Sequence, residues 1–289
     1  MKNFVNAKAL VDHAKAGKYA VAHFNINNLE WTRSLLEAAQ ETNSGIILGV
    51  SEGAVKYMGG YNVVANLVKS LIEDLKITVP IVLHLDHGQS YESCAKALAA
   101  GFSSVMFDGS HLSFKENLEI TKKVVALAKK YHASVEAEAG SVGGEEDGVI
   151  GLGEVANPKE CQDLAKLGID ILAAGINNVH GPYPSGWKGL DFKILAKIAQ
   201  ASNKPLVLHG GSGIPKDQVL KAISLGISKV NVNTELQEVF AAEIRNYIIS
   251  NKDQEKKGYD PRSIMKNPSL AIKNKAIELL KEFGSFGRS

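Results

Sequence analysis

Three histidines fall where chemistry would need them. His87 comes directly after the apolar run Val79–Leu85 and its terminal Asp86, and His209 follows the run Pro205–Leu208 at once. His180 lies in the loop after another apolar run, Ile169–Ala174. Three imidazoles gathered on one face would hold a Zn²⁺ ion and leave a position open for substrate. The rival account, three independent core or capping histidines, leaves Asp86 unexplained. A carboxylate beside a ligand is placed to pass a proton to or from a bound oxygen. Asp108 and Glu138 end two further apolar runs and offer hard oxygen ligands for a second or transient metal position. Of the other five histidines, His13 and His132 read as helical and either exposed or satisfied, and His84 as a hydrogen-bonded strand residue. His23 and His111 are candidates to line the site.

Anion chemistry is written separately. LHGGSG (208–213) places a glycine cluster and a serine after one apolar run, and KVNVNTEL (229–236) places Asn and Thr where the next helix should start. Backbone N–H groups in a glycine turn and at a helix N-terminus form an anion site, so the substrate is expected to carry a phosphate ester. A Schiff-base mechanism needs a lysine amine in the same place. Lys204 and Lys229 are read as preceding their strands, and no strand is expected to hold a central lysine. A metal is therefore the expected electrophile. The glycine-rich acidic stretch GSVGGEEDG (140–148) reads as a lid-like loop, with Glu145 and Glu146 as proton-transfer candidates.

These groups need elements that bring them together. Apolar runs of four to eight residues alternate with amphipathic stretches eight times between Tyr19 and Ser250. Eight such units predict a parallel α/β fold closed as a TIM (β/α)₈ barrel, with extra helices at the N-terminus and the C-terminus. The expectation is a single catalytic domain over residues 1–289, with 251–289 as a C-terminal connector and helix. A doubly wound sheet would carry a glycine fingerprint after its first strand, whereas that strand ends HFNINN. In a barrel the C-terminal strand ends converge, and barrels frequently hold phosphate after strands seven and eight.

Composition narrows the function classes. The 289 residues are 45% hydrophobic with 27 glycines and a net charge of +2. There is no basic tail, and no nucleic-acid partner is expected. No run approaches membrane-spanning length, and the charged N-terminal stretch does not resemble an export signal. Cys94 and Cys161 lack metal-site spacing and read as free buried thiols, so a cytoplasmic location is expected.

The stretches FNINNLEW (24–31), GVSEGA (49–54), LHLDHGQS (83–90), MFDGSH (106–111), EAEAGSVGGEEDG (136–148), NNVHGPY (177–183), LHGGSG (208–213) and NVNTEL (231–236) together resemble the class II, zinc-dependent fructose-1,6-bisphosphate aldolases over nearly the whole chain. The resemblance implies a glycolytic lyase that cleaves fructose 1,6-bisphosphate to dihydroxyacetone phosphate and glyceraldehyde 3-phosphate. It implies His87, His180 and His209 as catalytic zinc ligands, and Asp108 and Glu138 at an alternative metal position. Asp86 would handle the C4 hydroxyl proton and Glu146 the C3 proton. Gly181, Gly210, Gly211, Ser212, Asn231, Asn233 and Thr234 would hold the dihydroxyacetone-phosphate half, with Asn25 and Ser51 near the aldehyde half and Arg262 at the distal phosphate. A monovalent cation, Na⁺ or K⁺, would sit by the first phosphate, and the protein would form a homodimer or tetramer. Two positions depart from related subtypes: Pro184 stands where a lysine is common, with Lys188 four residues on, and Gln237 stands where another subtype has arginine. Two alternatives stay open, the tagatose 1,6-bisphosphate epimer as substrate and a non-catalytic phosphosugar-binding barrel.

Overall fold

The computed structural model describes residues 3–146 and 149–289. Eight of the described strands close into a parallel barrel. They are β1 (Val21–Asn25), β2 (Ile46–Val50), β3 (Ile81–Gly88), β4 (Ser104–Phe107), β5 (Ser134–Ala139), β8 (Ile171–Ala174), β10 (Leu206–Leu208) and β11 (Ile227–Val232). Three short strands outside it, β6 (Gly143–Glu146), β7 (Val149–Leu152) and β9 (Val179–His180), form a separate sheet in the order β7-β6-β9.

Helices follow the barrel strands as α2 (Leu29–Glu41), α4 (Tyr61–Asp74), α5 (Tyr91–Ala100), α6 (Phe114–Lys130), α7 (Pro158–Lys166), α8 (Phe192–Ser202), α9 (Lys216–Ser224) and α10 (Thr234–Ile249), with the short α3 (Glu52–Tyr57) preceding α4. Local sequence starts several of them within a few residues of a strand end. Asn28, Ser51, Ser90 and Asp191 each accept a backbone N–H of the first turn. Ser113 and Glu116 form a reciprocal capping box. Short connections of this kind keep the strand ends on one face.

Strand alternation divides the core in two. Outward residues such as Phe24, Leu48, Leu83, Leu85, Val105 and Leu208 pack against the helices in one apolar layer. Inward residues Val21, Ile47, Val82, Met106, Ile171 and Val207 fill the lumen together with Leu10, Val11 and Ala14 of α1 (Lys8–Gly17). Ala7 bonds to Ser134, and Lys15 reaches Asn203, so α1 covers the end at which the strands begin. The opposite end is left for polar groups. α11 (Pro261–Ile264) leads into α12 (Lys266–Glu282), which packs on α2 and α10. No helix among the described residues is long and apolar enough to cross a membrane.

Three expectations change in detail. The acidic stretch after β5 contains the hairpin β6–β7 and is not an irregular loop, because Gly143 and Gly144 pair with Leu152 and Gly151 on one side and with Val179 and His180 on the other. The connector before the last helix carries α11, and that helix begins at Lys266. The expectation about lysines fails: β11 starts at Ile227, two residues earlier than the apolar run alone suggested, so Lys229 is a central strand residue and is fully buried.

Cys94 and Cys161 are free and fully buried, and burial pushes both thiols up to about 12. Neither should react with a thiol-specific reagent at pH 8 in the native protein. Both should titrate on denaturation, and a rapid native reaction would show that the α5 or α7 packing opens.

Candidate active site

Asp86 and His87 are neighbours in a strand, and alternation should send them to opposite faces. Residues 82, 84 and 86 of β3 point inward, so His87 by rule belongs outside. The register between β3 and β4 shifts between Leu85 and Gly88, and His87 has φ 47°. The bulge and the left-handed backbone turn His87 back toward the mouth. Such a conformation in a non-glycine residue costs about 1 kcal/mol or more and is typical of functional sites. Gly88 permits it, since a Cβ there would lie 2.7 Å from the Met106 carbonyl.

The three histidines meet. His87, His180 and His209 each offer a ring nitrogen within 4.8 Å of the others. Their ring centroids are 4.6 to 5.8 Å apart. His87 Nε2 faces His209 Nδ1 at 2.9 Å. Carboxylates hold the outer nitrogens: Asp108 Oδ2 is 2.7 Å from His87 Nδ1, and Glu136 Oε1 is 2.7 Å from His209 Nε2. This donor set fits a divalent metal such as Zn²⁺, with imidazoles inside and carboxylates fixing them from behind.

Asp108, Glu138 and His87 make a second potential ligand group. Burial works against the Asp108 carboxylate, but hydrogen bonds from His87 and Ser110 outweigh it and hold Asp108 well below the usual range. Burial, and then the Asp108 charge, push Glu138 well above its usual value. Glu138 Oε1 accepts the Val142 N–H, while its buried Oε2 has no hydrogen-bond partner. An unpartnered buried carboxylate oxygen beside a second carboxylate is suited to a cation.

Asp86 is buried. Asn25 donates to its Oδ2 at 2.9 Å, and His23 Nε2 lies 3.6 Å from the same oxygen. Its Oδ1 has no hydrogen-bond partner. His23 fits because β2 has glycine alongside: a Cβ on Gly49 would fall 1.7 Å from His23 Nε2. Burial, and then the Lys229 charge, lower both His23 and His84 well below the usual histidine value, so both rings are neutral. His84 Nδ1 bonds to Ser104, the supporting contact expected of it.

Two cavities flank His180. One of about 310 Å³ is lined by Asn25, Glu145, His180, Gly181, Pro182, Gly210, Ser212, Asn231, Asn233, Thr234 and Gln237. It lies at the N-terminus of α10, where partial positive charge favours an anion. Gly210, at φ 64°, turns against β9, and its carbonyl accepts from Tyr183. Gly211 donates to the Asn231 carbonyl. The other cavity, about 510 Å³, includes His87, Asp108, His111, Glu138 and Leu152.

Several expected residues lie elsewhere or are otherwise occupied. Ser51 caps α3 by accepting the Ala54 N–H. Arg262 is exposed on α11, paired with Asp260, in a groove with Leu29 and Arg33; it lines neither mouth cavity. The Glu146 side chain lies outside the described residues, whereas Glu145 reaches the smaller cavity. His13 bonds to Tyr19, and His132 sits in the turn after α6. Residue-by-residue reading missed Glu136 and Lys229. Their parity was available, since Glu136 is two residues from Glu138 and Lys229 is two from Asn231.

The model of the family "Fructose-bisphosphate aldolase class-II" matches residues 5–288, and the chain belongs to that family. The fructose-bisphosphate aldolase of Mycoplasma genitalium is 58% identical over 283 residues, covering 97% of this chain and 98% of that protein. The fructose-bisphosphate aldolase of Mycoplasma pneumoniae is 55% identical over 99% of each chain. Among solved structures, the YdjI aldolase from Escherichia coli K12 superposes with a TM-score of 0.85 at 31% identity over 99% of both chains.

A Cβ on Gly210 would meet the Val179 carbonyl oxygen at 2.1 Å, and its backbone is left-handed. Gly210→Ala should therefore displace β9 from the turn. A destabilisation of about 1–3 kcal/mol is expected, read as a lowered midpoint in denaturant, together with a raised KM. An unchanged midpoint and KM would mean that the turn relaxes freely.

Proposed function

We propose that this chain, a class II fructose-bisphosphate aldolase, works through a Zn²⁺ ion held by His87, His180 and His209. The contact that carries this reading is the 2.9 Å approach of His87 Nε2 and His209 Nδ1, each backed by a carboxylate. The reaction is the reversible cleavage of fructose 1,6-bisphosphate to dihydroxyacetone phosphate and glyceraldehyde 3-phosphate. A bound zinc ion supplies Lewis acidity at the ketone oxygen and so lowers the cost of the charge left when C3–C4 breaks.

The chain's own residues do the rest. Asp86 takes the C4 hydroxyl proton during cleavage and returns it in synthesis, and Asn25 fixes the carboxylate by its hydrogen bond to Oδ2. Glu146, on the β6–β7 hairpin, delivers the proton to C3. Gly181, Gly210, Gly211, Ser212, Asn231, Asn233 and Thr234 seat the phosphate of the dihydroxyacetone half at the α10 N-terminus, with a monovalent cation beside it. Ser51 borders the aldehyde half, and Arg262 serves the distal phosphate. Asp108 and Glu138 take the metal in an alternative position. The free buried thiols support a cytoplasmic, reducing setting. The exposed apolar residues Ile249, Tyr259 and Leu270 near the C-terminal helices support a homodimer or tetramer.

Exhaustive chelation should abolish cleavage, and Zn²⁺ should restore it; full turnover after verified metal loss would sink the metal reading. Fructose 1,6-bisphosphate should exceed its tagatose epimer in kcat/KM, and the reverse order would reassign the substrate. Asp86→Asn preserves shape and should lower kcat by about 10²–10⁴-fold with little change in KM. Wild-type turnover in that variant would move the proton transfer to another group.

A further inference from the structure

Beneath the histidines lies a buried charge pair that the reaction as described does not use. Glu136 on β5 and Lys229 on β11 are both fully buried, with Nζ 2.7 Å from Oε2. Their strands are not neighbours, since β8 and β10 stand between them in the barrel order. The pair therefore bridges the lumen. Taking two charges out of water is costly, and apolar residues of similar volume often serve stability as well or better. The lumen below is already apolar, so filling space does not explain the pair.

Its second carboxylate oxygen does. Glu136 Oε1 is 2.7 Å from His209 Nε2. Paired with an ammonium, Glu136 is a carboxylate and only accepts hydrogen bonds. His209 must then carry its proton on Nε2, which leaves the lone pair on Nδ1. Asp108 imposes the mirror-image choice on His87, where Nδ1 is 2.7 Å from Oδ2 and Nε2 is left as the lone-pair nitrogen. The two lone-pair nitrogens face each other at 2.9 Å. Opposed lone pairs repel unless a proton or a cation joins them. The protein has thus arranged two carboxylates so that the two imidazoles need a positive charge between them.

We propose that Glu136, anchored by Lys229, is a positioning residue for the metal centre that fixes His209 in the Nε2–H tautomer and presents Nδ1 to the cation. The proposal rests on the reading of His87, His180 and His209 as metal ligands. Lys229 acts at one remove. It holds Glu136 across the lumen, and His84 Nε2, 3.7 Å from Glu136 Oε2, is too far to take its place. The pair therefore works as a strut between the side of the barrel that carries β5 and the strand after His209.

The test uses the full-length protein stripped of metal and reloaded with Zn²⁺ or Co²⁺. Glu136→Gln with Lys229→Met removes both charges at similar volume. Glu136→Asp keeps the charge but shortens its reach. Zn²⁺ affinity, read by competition with a chromophoric chelator, should fall about 10–100-fold in each. The visible Co²⁺ spectrum should change, while the denaturation midpoint of the metal-free double variant stays near that of the wild type. Lys229→Arg, which keeps the cation, should restore Zn²⁺ affinity toward wild type. Wild-type affinity and an unchanged Co²⁺ spectrum in folded Glu136→Asp and in the double variant would overturn the proposal and leave the pair structural. If the double variant does not fold, Glu136→Asp alone decides. Failure of the wild-type protein to take up either metal would overturn the metal reading itself, a result distinct from variants that differ from a metal-binding wild type.

Discussion

A closed barrel lets each strand send only every second residue into its lumen, and the site is built within that constraint. His23 and Asn25, His84 and Asp86, Glu136 and Glu138, and Lys229 and Asn231 are four such pairs, spaced by two along β1, β3, β5 and β11. In each pair one member lies deeper and the other nearer the mouth. The deeper members make a polar floor of imidazole, carboxylate and ammonium, and the outer members are the ones we propose to meet substrate or metal. His87 is the exception to alternation, which is why the chain spends a bulge and a left-handed residue on it. Without that irregularity Asp86 and His87 could not share a face.

The floor also sets charge. Lys229 is the fully buried ammonium of the lumen, and its field, added to burial, keeps His23 and His84 neutral while helping hold Glu136 ionised. The imidazoles around Asp86 therefore act as neutral dipoles. At the mouth the balance reverses. Hydrogen bonds from His87 and Ser110 hold Asp108 well below the usual carboxylate range, while burial and the Asp108 charge push Glu138 well above it. The two carboxyl groups of the mouth are thus driven in opposite directions.

Much of this is legible in the sequence. Eight apolar runs with helix starts between them implied the barrel, and polar residues directly after those runs located its active end. Convergence of strand ends placed the histidines at one end, but their meeting also needs the bulge at His87 and the position of His180 on β9. Glu136 and Lys229 were missed for a physical reason: local pattern reports burial poorly for charged residues that are satisfied only across the lumen, where the partner is 93 residues away. Lys229 was further hidden by Ser228, which made β11 look two residues shorter than it is. The β6–β7 hairpin was hidden because glycine-rich, acidic composition reads as loop, whereas here its backbone is claimed by β9. The place of Arg262 on α11, in the groove with Leu29 and Arg33, was not legible either, since it depends on how the C-terminal segment packs.

The small sheet outside the barrel has one more consequence. β9 comprises Val179 and the triad member His180, and it is hydrogen-bonded to the hairpin that carries Glu145 and Glu146. One backbone ladder thus ties His180, a metal ligand in the reading we propose, to that hairpin. By thermodynamic reciprocity, whatever distorts the hairpin backbone is felt at His180, and whatever holds His180 in place steadies the hairpin.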